Sequence, residues 1–376
     1  MEIRIEQRVL LQMLYRAQGI VDKKSTLNVL AHVLIESVGK DAVRISCTDY
    51  DVGLLAVYPA EVIEPGAMAV NGRNVFDVVK ALPDAPVTLK KQPNHWVDLS
   101  CGRSQFKLTG IPPEDFPEQK DPEELPGIVL DRTTLLQLID KTIFSISTDE
   151  SRMNLNGAYF KAEPAEGDPA VLRVSMVSTD GHRLSRVRRE LPVPDPVDKP
   201  IDAIVHRKGI QELKRILEGD DERVQISSFQ NNMVFRYENA VLFVRQIEDS
   251  FPEYEKVIPR ESAVGVALDK QELLQAIRRT ATLSSAKVAI VKVSLEKEKV
   301  VLTTNNPDYG EARVEIDADY AGQTIVVGFN HRYVMEVLSV IEGEKVLFKI
   351  NDEFSPGVIE SDSDPGATFV IMPMRI

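Results

Sequence analysis

The stretch STDGHRLSR at 178–186 has the residues best suited to acid–base chemistry, with an acid, a histidine and an arginine close together. Asp180 and His182 could transfer a proton, and Arg183 could hold an anion. Asp-Gly is also a common turn pair, and the matching stretch nearer the N-terminus, CTDYDVG, has no histidine. A structural turn is therefore the favoured interpretation. An acid–base enzyme centred on Asp180 and His182 stays open as an alternative.

Other catalytic signatures are missing from the sequence. It contains no GxGxxG after a strand pattern, no GxxxxGK[ST], no GxSxG and no HExxH. The five histidines are scattered along the chain, and Cys47 and Cys101 lie in separate apparent strands without the spacing of metal ligands. We therefore expect no catalytic residue, no metal site and no cofactor.

Length and composition are typical of a globular chain with several domains. At 376 residues the chain is longer than one hydrophobic core usually serves, and 43% of its residues are hydrophobic. No apolar run approaches the ~18 residues that span a bilayer, and the N-terminus lacks a signal-peptide pattern. We expect a cytoplasmic protein with no membrane partner.

A threefold repeat organises the sequence. Three stretches combine a polar residue, a basic residue two positions later and apolar residues at helical spacing: VNGRNVFDVVKAL, VHRKGIQELKRIL and FNHRYVMEVLSVI. A second amphipathic helix precedes each of them, in RVLLQMLYRAQGI, TTLLQLIDKTIFSI and KQELLQAIRRTATL. These patterns predict an α+β fold of three repeated domains with two helices each, at 1–125, 126–258 and 259–376.

The segments between the helices repeat as well. Alternating and β-branched runs with comparable turns occur in VRISCTDYDVGLLAVYPAEV, LRVSMVSTDGHRLSRVRREL and VVLTTNNPDYGEARVEIDADY. Each unit then closes with a strand pattern, in SQFKLTGI, VLFVRQI and ATFVIMPM. The apolar C-terminus is therefore predicted to contain the last strand of the third domain, at 368–371.

Charge is distributed unevenly between helices and strands. The net charge is −13, yet the predicted helices at 8–24, 72–82, 131–147, 206–217, 269–285 and 330–341 contain twice as many Lys and Arg as Asp and Glu residues. A basic helical face could neutralise nucleic-acid phosphates without reading bases. The alternative is that these side chains are exposed to solvent and bind no partner. The polar positions that face away from the apolar stripes are Arg8, Gln12, Arg16, Lys141, Lys214, Arg215, Arg278 and Arg279.

With its three repeats, basic helices, STDGHRL, SFPEY and terminal VIMPMRI, the chain resembles the bacterial DNA polymerase III beta subunit, the processivity sliding clamp family. The resemblance covers essentially the full length. It implies the DNA clamp fold, in which two helices pack on antiparallel sheets in each domain and a homodimer closes into a ring. It also implies that the ring encircles double-stranded DNA independently of sequence and is a processivity factor with no enzymatic activity.

The resemblance further implies an apolar groove that binds short peptides with a Gln followed by Leu and Phe. Its expected partners are the DNA polymerase III catalytic subunit, the clamp loader, and other polymerases and repair proteins. Methionines suit a site that accepts many peptides, because their side chains are flexible. Matching the family motifs residue by residue gives these groove positions: Leu155, Thr179, Gly181, His182, Arg183, Leu184, Pro252, Val257, Asn330, Tyr333, Val370, Ile371, Met372, Pro373, Met374 and Arg375.

Residues for DNA contact and for ring closure follow from the same resemblance and from the charge pattern. Phe106 and Leu283 match the ring interface of the family. The expected DNA-facing residues are Lys24, Arg73, Lys141, Lys214, Arg215, Arg278 and Arg279.

The chain departs from the family pattern at three places, and these affect the expected groove rim and one DNA contact. Glu255 stands where some members have a basic residue, Asn154 replaces an aromatic residue, and STLN at 25–28 replaces PTLP. A protein-binding repeat scaffold that does not encircle DNA remains a further alternative.

Overall fold

The computed structural model of the chain describes residues 1–21, 27–122, 125–193, 199–259, 264–284 and 289–375. Within them the chain forms six α-helices, one in each predicted helical segment. The helices in 8–24, 131–147 and 269–285 end four to seven residues before the predicted segment does, and the other three end within two residues of it. The helices are α1 (Gln7–Ala17), α2 (Gly72–Lys80), α3 (Arg132–Asp140), α4 (Arg207–Ile216), α5 (Lys270–Ala281) and α6 (His331–Val340).

Antiparallel strands connect the helices. The first fourteen are β1 (Glu2–Glu6), β2 (His32–Val38), β3 (Ala42–Thr48), β4 (Val52–Pro59), β5 (Glu61–Glu64), β6 (Ala67–Asn71), β7 (Pro86–Lys91), β8 (Val97–Cys101), β9 (Ser104–Leu108), β10 (Gly110–Ile111), β11 (Gly127–Asp131), β12 (Gly157–Ala165), β13 (Asp168–Thr179) and β14 (Arg183–Pro192). The others are β15 (Ile201–His206), β16 (Arg223–Phe229), β17 (Asn232–Tyr237), β18 (Ala240–Arg245), β19 (Val264–Asp269), β20 (Ile290–Glu296), β21 (Lys299–Asn306), β22 (Gly310–Asp317), β23 (Ile325–Asn330), β24 (Lys345–Ile350), β25 (Gly357–Glu360) and β26 (Ala367–Ile371).

The polar residue of the repeated helix motif is an N-cap in all three copies. The Asn71 side chain accepts the backbone N–H of Asn74 at 3.0 Å, before α2. His206 accepts the backbone N–H of Lys208 before α4, and Asn330 does the same for Arg332 before α6. Such caps satisfy backbone donors that have no partner inside the helix, which explains why a polar residue recurs at this position.

The chain divides into two compact units. The first consists of Met1–Leu136 with Val205–Gln246, and its described strands form a sheet of order β5-β1-β7-β8-β9 and a sheet of order β10-β6-β2-β3-β4-β18-β17-β16-β11. The second consists of Gln137–Ile204 with Ile247–Ile376. Its described strands form sheets of order β15-β12-β13-β14-β26-β25-β24-β19 and β22-β21-β20-β23.

In the first unit, strands from two successive repeats share one sheet. β4 of the first repeat pairs antiparallel with β18 of the second, with Leu54 opposite Leu242. Helices α1 and α2 pack together, and their apolar stripes are fully buried at Leu10, Met13 and Val75. Burial of these stripes supplies the main driving force for packing helices on the sheet.

The second unit repeats this arrangement. β14 pairs antiparallel with β26, with Leu184 opposite Val370, so the predicted C-terminal strand is confirmed. Helices α5 and α6 pack together and bury Leu273 and Val337. Two helices on antiparallel sheets therefore recur along the chain, and the predicted α+β class is confirmed. None of the helices in the described part of the chain is long and apolar enough to cross a membrane.

Candidate functional site

The STDGHRLSR stretch forms the turn between β13 and β14. The Asp180 carboxylate accepts the backbone N–H groups of His182 at 2.9 Å and Arg183 at 3.0 Å, and Gly181 has a φ of +88°. Glycine adopts this conformation without strain.

No hydrogen bond joins the Asp180 carboxylate to the His182 imidazole in the described residues, so the geometry gives Asp180 a turn-forming role. In the same residues no cluster of His, Cys, Asp or Glu side chains could hold a metal.

Arg183 connects this turn to the third repeat. Its Nε donates to the Asp180 carboxylate at 3.1 Å, and its terminal nitrogens bind the Glu336 carboxylate and the Phe144 carbonyl. The guanidinium also stacks on the Tyr333 ring, 4.2 Å from its centroid. Burial, followed by the nearby charge of Asp180, raises the pKa of Tyr333, although Arg183 opposes the shift. The predicted residues Arg183 and Tyr333 are thus in direct contact.

The other face of the same sheet has a continuous apolar patch. Alternation along β14 puts Leu184 on this face, where it meets Val370 of β26, and Val370 in turn pairs with Val358 of β25. We call the following residues the apolar patch: the buried Val177, Leu184, Val358 and Val370, with the half-buried Tyr159, Phe251, Tyr254 and Ile258 packed against them. It brings Leu184 and Val370 together with Phe251 and Tyr254 of the FPEY segment.

Aromatic rings cover one side of the apolar patch. Tyr159 stacks on Phe251 with centroids 5.2 Å apart, and Tyr254 packs edge-on against Phe251 at 6.1 Å. The Tyr159 hydroxyl donates to Asp202 at 2.9 Å, and burial together with this bond raises the pKa of Tyr159. The family match had selected Pro252 from this segment and missed its aromatic neighbours. The aromatic residues of SFPEY were the available signal.

The residues after β26 are anchored through their backbone. The Met372 N–H donates to the His182 carbonyl at 2.9 Å, and the Met374 N–H donates to the Gly328 carbonyl of β23 at 2.8 Å. The Met372 and Met374 side chains are 36% and 38% exposed, while Pro373 is half-buried. The tail therefore presents the exposed Met372 beside the 179–183 turn and the exposed Met374 beside β23.

Ile371 does not belong to this surface. Its side chain has no solvent exposure and lies on the opposite face of the sheet from Val370, because neighbouring strand residues alternate between faces. Ile371 therefore does not line the apolar patch and is a core residue in this structure.

The remaining predicted groove residues occupy mixed positions. Leu155 is 7% exposed, and next to it Asn154 Nδ2 donates to the Ser250 carbonyl at 3.2 Å, which ties this turn to the FPEY segment. Val257 is 42% exposed. Asn330 caps α6, and the hydroxyl of Thr179 donates to the Arg183 carbonyl at 2.6 Å. Pro252, His182 and Arg375 are exposed.

Sequence reasoning missed one prominent apolar residue, Phe354. It is 81% exposed, in the loop between β24 and β25. Because Gly357 pairs with Ile371, this loop lies at the same end of the sheet as Met372. A large apolar residue in the polar stretch NDEFSP was the signal that could have indicated it.

The expected DNA-facing residues lie on several helices. Arg73 on α2, Lys214 on α4, and Arg278 and Arg279 on α5 are exposed. Arg215 is half-buried, pairs with Glu212 and lies over the Tyr15 ring. Lys24 lies outside the described residues.

Two cations of the predicted helical segments are buried instead of facing solvent. Arg16 is 3% exposed and donates to Glu238 at 2.7 Å and to Asn239 at 2.8 Å. Lys141 is also 3% exposed, and its Nζ lies 2.7 Å from both the Glu342 and the Asp364 carboxylates. The expectation that Lys141 faces DNA is therefore corrected: both charges are neutralised inside the protein.

The two expected interface residues lie in different units. Phe106 is 38% exposed on β9, which is an edge strand of its sheet. Leu283 is half-buried in the turn after α5, and the neighbouring Ser284 hydroxyl is 2.9 Å from the His331 Nε2 atom. Burial lowers the pKa of His331.

Family models match along nearly the whole chain. Residues 1–120 match the N-terminal domain of the DNA polymerase III beta subunit, residues 129–253 its central domain, and residues 255–375 its C-terminal domain. The beta sliding clamp of Caulobacter vibrioides is 34% identical over 378 residues, and that of Escherichia coli is 30% identical over 377 residues. Both alignments cover 100% of each chain.

Solved structures agree with these matches. The DNA polymerase sliding clamp of Caulobacter crescentus superposes with a TM-score of 0.91 at 33% identity, covering 100% of both chains. A sliding clamp from Bartonella birtlesii bound to griselimycin gives a TM-score of 0.93 at 29% identity, again with full coverage of both.

Lys141→Ala should destabilise the protein because the substitution leaves the buried Asp364 carboxylate with Arg189 as its remaining cation. We expect a loss of about 3 kcal/mol in the free energy of unfolding, measured by denaturant titration. Lys297→Ala, at an exposed turn residue, is the control and should change it by less than about 0.5 kcal/mol. Unchanged stability with weakened DNA binding would restore Lys141 to the DNA-facing set.

Met372→Ala combined with Met374→Ala should weaken binding of a peptide with the Gln, Leu and Phe motif by about 2 kcal/mol or more, because anchor contacts dominate such grooves. The substitutions keep both backbone hydrogen bonds of the tail, so thermal unfolding should barely change. Isothermal titration measures the affinity. Val38→Ala with Val57→Ala, at two residues each 39% exposed, is the matched control. Equal affinity in the methionine variant would exclude the tail from the site.

Proposed function

The chain belongs to the DNA polymerase III beta subunit family, and from this premise we propose that it is a DNA sliding clamp whose homodimeric ring encircles duplex DNA and tethers a polymerase. A topological link retains the clamp on DNA without tight or sequence-specific binding. We further propose that the protein is a non-catalytic processivity factor in the cytoplasm. The hydrogen bonding of Asp180 within its own turn favours this over an acid–base enzyme.

The observation that supports ring closure is that strands of successive repeats pair in the same way twice along the chain. The second strand of the 42–59 hairpin, β4, pairs with β18, and its counterpart β14 pairs with β26. In the third repeat the strand equivalent to β4 and β14 is β22. In the first repeat the strand equivalent to β18 and β26 is β9. Both are edge strands of their sheets. Pairing of β22 with β9 of a second copy would satisfy both edges, and two such contacts close a dimer.

Charges on the two edge strands support this pairing. Next to and within β9, Arg103 and Lys107 are exposed, while β22 has the exposed acids Glu311, Glu315 and Asp317 with one arginine, Arg313. A basic strand against a mainly acidic one is electrostatically complementary and favours the correct register. The exposed ring of Phe106 supplies apolar area for the same contact.

The exposed helical cations suit contact with the DNA backbone. Arg73, Lys214, Arg278 and Arg279 are long, exposed and located on helices. Nothing in their spacing would read base edges, so we propose contact with phosphates that is independent of sequence. Lys141 is excluded from this set because its charge is buried and paired.

We propose that the apolar patch, with Met372, Met374 and Val257 at its rim, binds the short peptide motifs of partners. These partners would be the DNA polymerase III catalytic subunit, the clamp loader, and other polymerases and repair proteins. The four buried residues of the patch are at most 5% exposed, so apolar anchors of a peptide would enter by displacing flexible side chains such as Met372. The complexes of related clamps with griselimycin support ligand binding in this family.

We also propose domain boundaries at 1–125, 126–258 and 259–376. The three family matches at 1–120, 129–253 and 255–375 support them. The two compact units divide the chain inside the central domain, because β18 belongs to a sheet with the first repeat and β14 to a sheet with the third.

Leu283→Asp should convert the dimer to monomers, because a charge would be buried at the proposed seam. Sedimentation velocity at micromolar concentration should show about twice the 42.0 kDa chain mass for the native protein and the single mass for the variant. Ile63→Asp, at an apolar residue 53% exposed on the edge strand β5, should leave the dimer intact. A native monomer, or an unchanged mass for the Leu283 variant, would contradict the proposed seam.

Arg278→Glu with Arg279→Glu should weaken direct binding to linear duplex DNA and reduce the slope of log affinity against log salt by about 2, as two phosphate contacts are lost. Fluorescence anisotropy over a salt series measures this slope. The charge-matched control is Lys40→Glu with Lys297→Glu, at two exposed residues of turns.

Loaded on a nicked circle, the native protein should resist a salt wash and should be released when the circle is linearised. Binding that depends on DNA sequence, or equal retention on circular and linear DNA, would contradict encirclement.

A further inference from the structure

Two arginines extend the face that forms the apolar patch. Along β14, Arg186 and Arg188 follow Leu184 at intervals of two residues, so all three lie on the same side of the sheet. Arg186 is opposite Val177 of the apolar patch on β13 and opposite Thr368 on β26. The patch therefore borders directly on two neighbouring positive charges.

Other cations on this face already have anionic partners. Arg173 pairs with Glu190 at 3.1 Å, Lys161 with Glu163 at 2.7 Å, and Lys349 with Glu360 at 2.7 Å. Each of these charges is compensated within the protein. They therefore leave no free attraction for an added anion.

Arg186 and Arg188 differ from these neighbours. The Nη2 atom of Arg186 donates to the Thr368 hydroxyl at 3.0 Å, but the Nε atoms of both arginines are buried and have no hydrogen-bond partner in the described part of the chain. Neither arginine forms an ion pair within 4.0 Å there. Glu360 is already engaged by Lys349 and by the Thr368 hydroxyl.

The electrostatic environment of Arg186 includes the positive charge of Arg188. Burial and, next, the charge of Arg188 lower the pKa of Arg186, while Tyr254, Glu360 and Glu255 act in the opposite direction. Two half-buried guanidinium groups that repel each other favour an added anion. Arginine binds carboxylates well, because its planar donors match both oxygens.

We propose that Arg186 and Arg188 select an acidic side chain, Asp or Glu, of a partner peptide whose apolar anchors occupy the apolar patch. The inference rests on the proposed peptide-binding function of that patch. Continuity of the arginines with the patch and charge complementarity identify the occupant. Leu184 lies about 7 Å from Arg186 and about 14 Å from Arg188 along the strand, which puts the acid about two to four residues from the anchor in an extended peptide.

The test compares peptides that share the Gln, Leu and Phe core and differ only in a flanking pair, Asp-Asp or Asn-Asn, placed before or after the core. Fluorescence polarisation with the full-length native protein at about 50 mM salt measures their affinities. The Asp-Asp peptide should bind about fivefold to tenfold tighter than its Asn-Asn counterpart on one side of the core. High salt should reduce this preference.

Arg186→Gln combined with Arg188→Gln should abolish the acidic preference and leave the Asn-Asn affinity unchanged, which also reports an intact patch. Arg173→Gln removes the same type of charge from the same face, but one paired with Glu190, and should keep the preference. Thermal unfolding checks that each variant is folded.

The outcomes separate this inference from the proposed function. If no Asn-Asn peptide binds the native protein, the peptide groove itself fails. If Asn-Asn and Asp-Asp peptides bind equally on both sides of the core, the groove stands and the acid-selecting role is wrong. If the arginine variant instead binds duplex DNA more weakly than the Arg173 variant does, the pair is a DNA contact and the proposal is overturned.

Discussion

Antiparallel pairing between strands of successive repeats is the constraint on which the rest of the structure depends. β4 with β18, and β14 with β26, each extend a sheet across two repeats, and every added ladder satisfies backbone groups that an edge would leave unpaired. A strand of each repeat pairs with a strand of the next repeat, so the first and the last repeat each keep one strand without such a partner. The same constraint therefore produces sheets shared between repeats and the open edges β9 and β22.

This pairing also positions the candidate peptide site. Because β26 lies beside β14, the end of the chain reaches the 179–183 turn, where the Met372 N–H binds the His182 carbonyl. Arg183 strengthens the junction on the opposite face through Asp180, Glu336 and the Tyr333 ring. Arg183 lies on one face of this shared sheet and the apolar patch on the other. The two-residue alternation of a strand therefore separates the structural contacts of Arg183 from the proposed binding surface.

Charge has two different uses in this molecule. At exposed helix positions such as Arg278 and Arg279, a charge stays hydrated and lowers the stability of the fold little. It can attract phosphates at a distance. Inside the protein, Arg16 and Lys141 are tied to carboxylates because an unpaired buried charge would cost far more than it contributes. Arg186 and Arg188 lie between these extremes, half-buried and without an ion pair to any described residue, which is the condition expected of a charge that a ligand completes.

The sequence by itself determined the elements that depend on local periodicity. Six amphipathic stripes, the polar residue that recurs before three of them and the strand at 368–371 were predictable, because the 3.6-residue and two-residue patterns and the capping side chains act over a few neighbouring positions. Family motifs selected Arg183, Leu184 and Val370, which the fold brings to one end of the shared sheet, although Ile371 proved to be core.

Only the tertiary structure decided which side chains meet. Lys141 looks like an exposed helical cation until the fold brings the distant Asp364 and Glu342 to its ammonium group. Sequence likewise gives no sign that, among the described residues, Arg186 lacks a carboxylate partner while Arg173 has one. Burial and pairing depend on contacts between residues that are far apart in the chain, and no local pattern encodes such contacts.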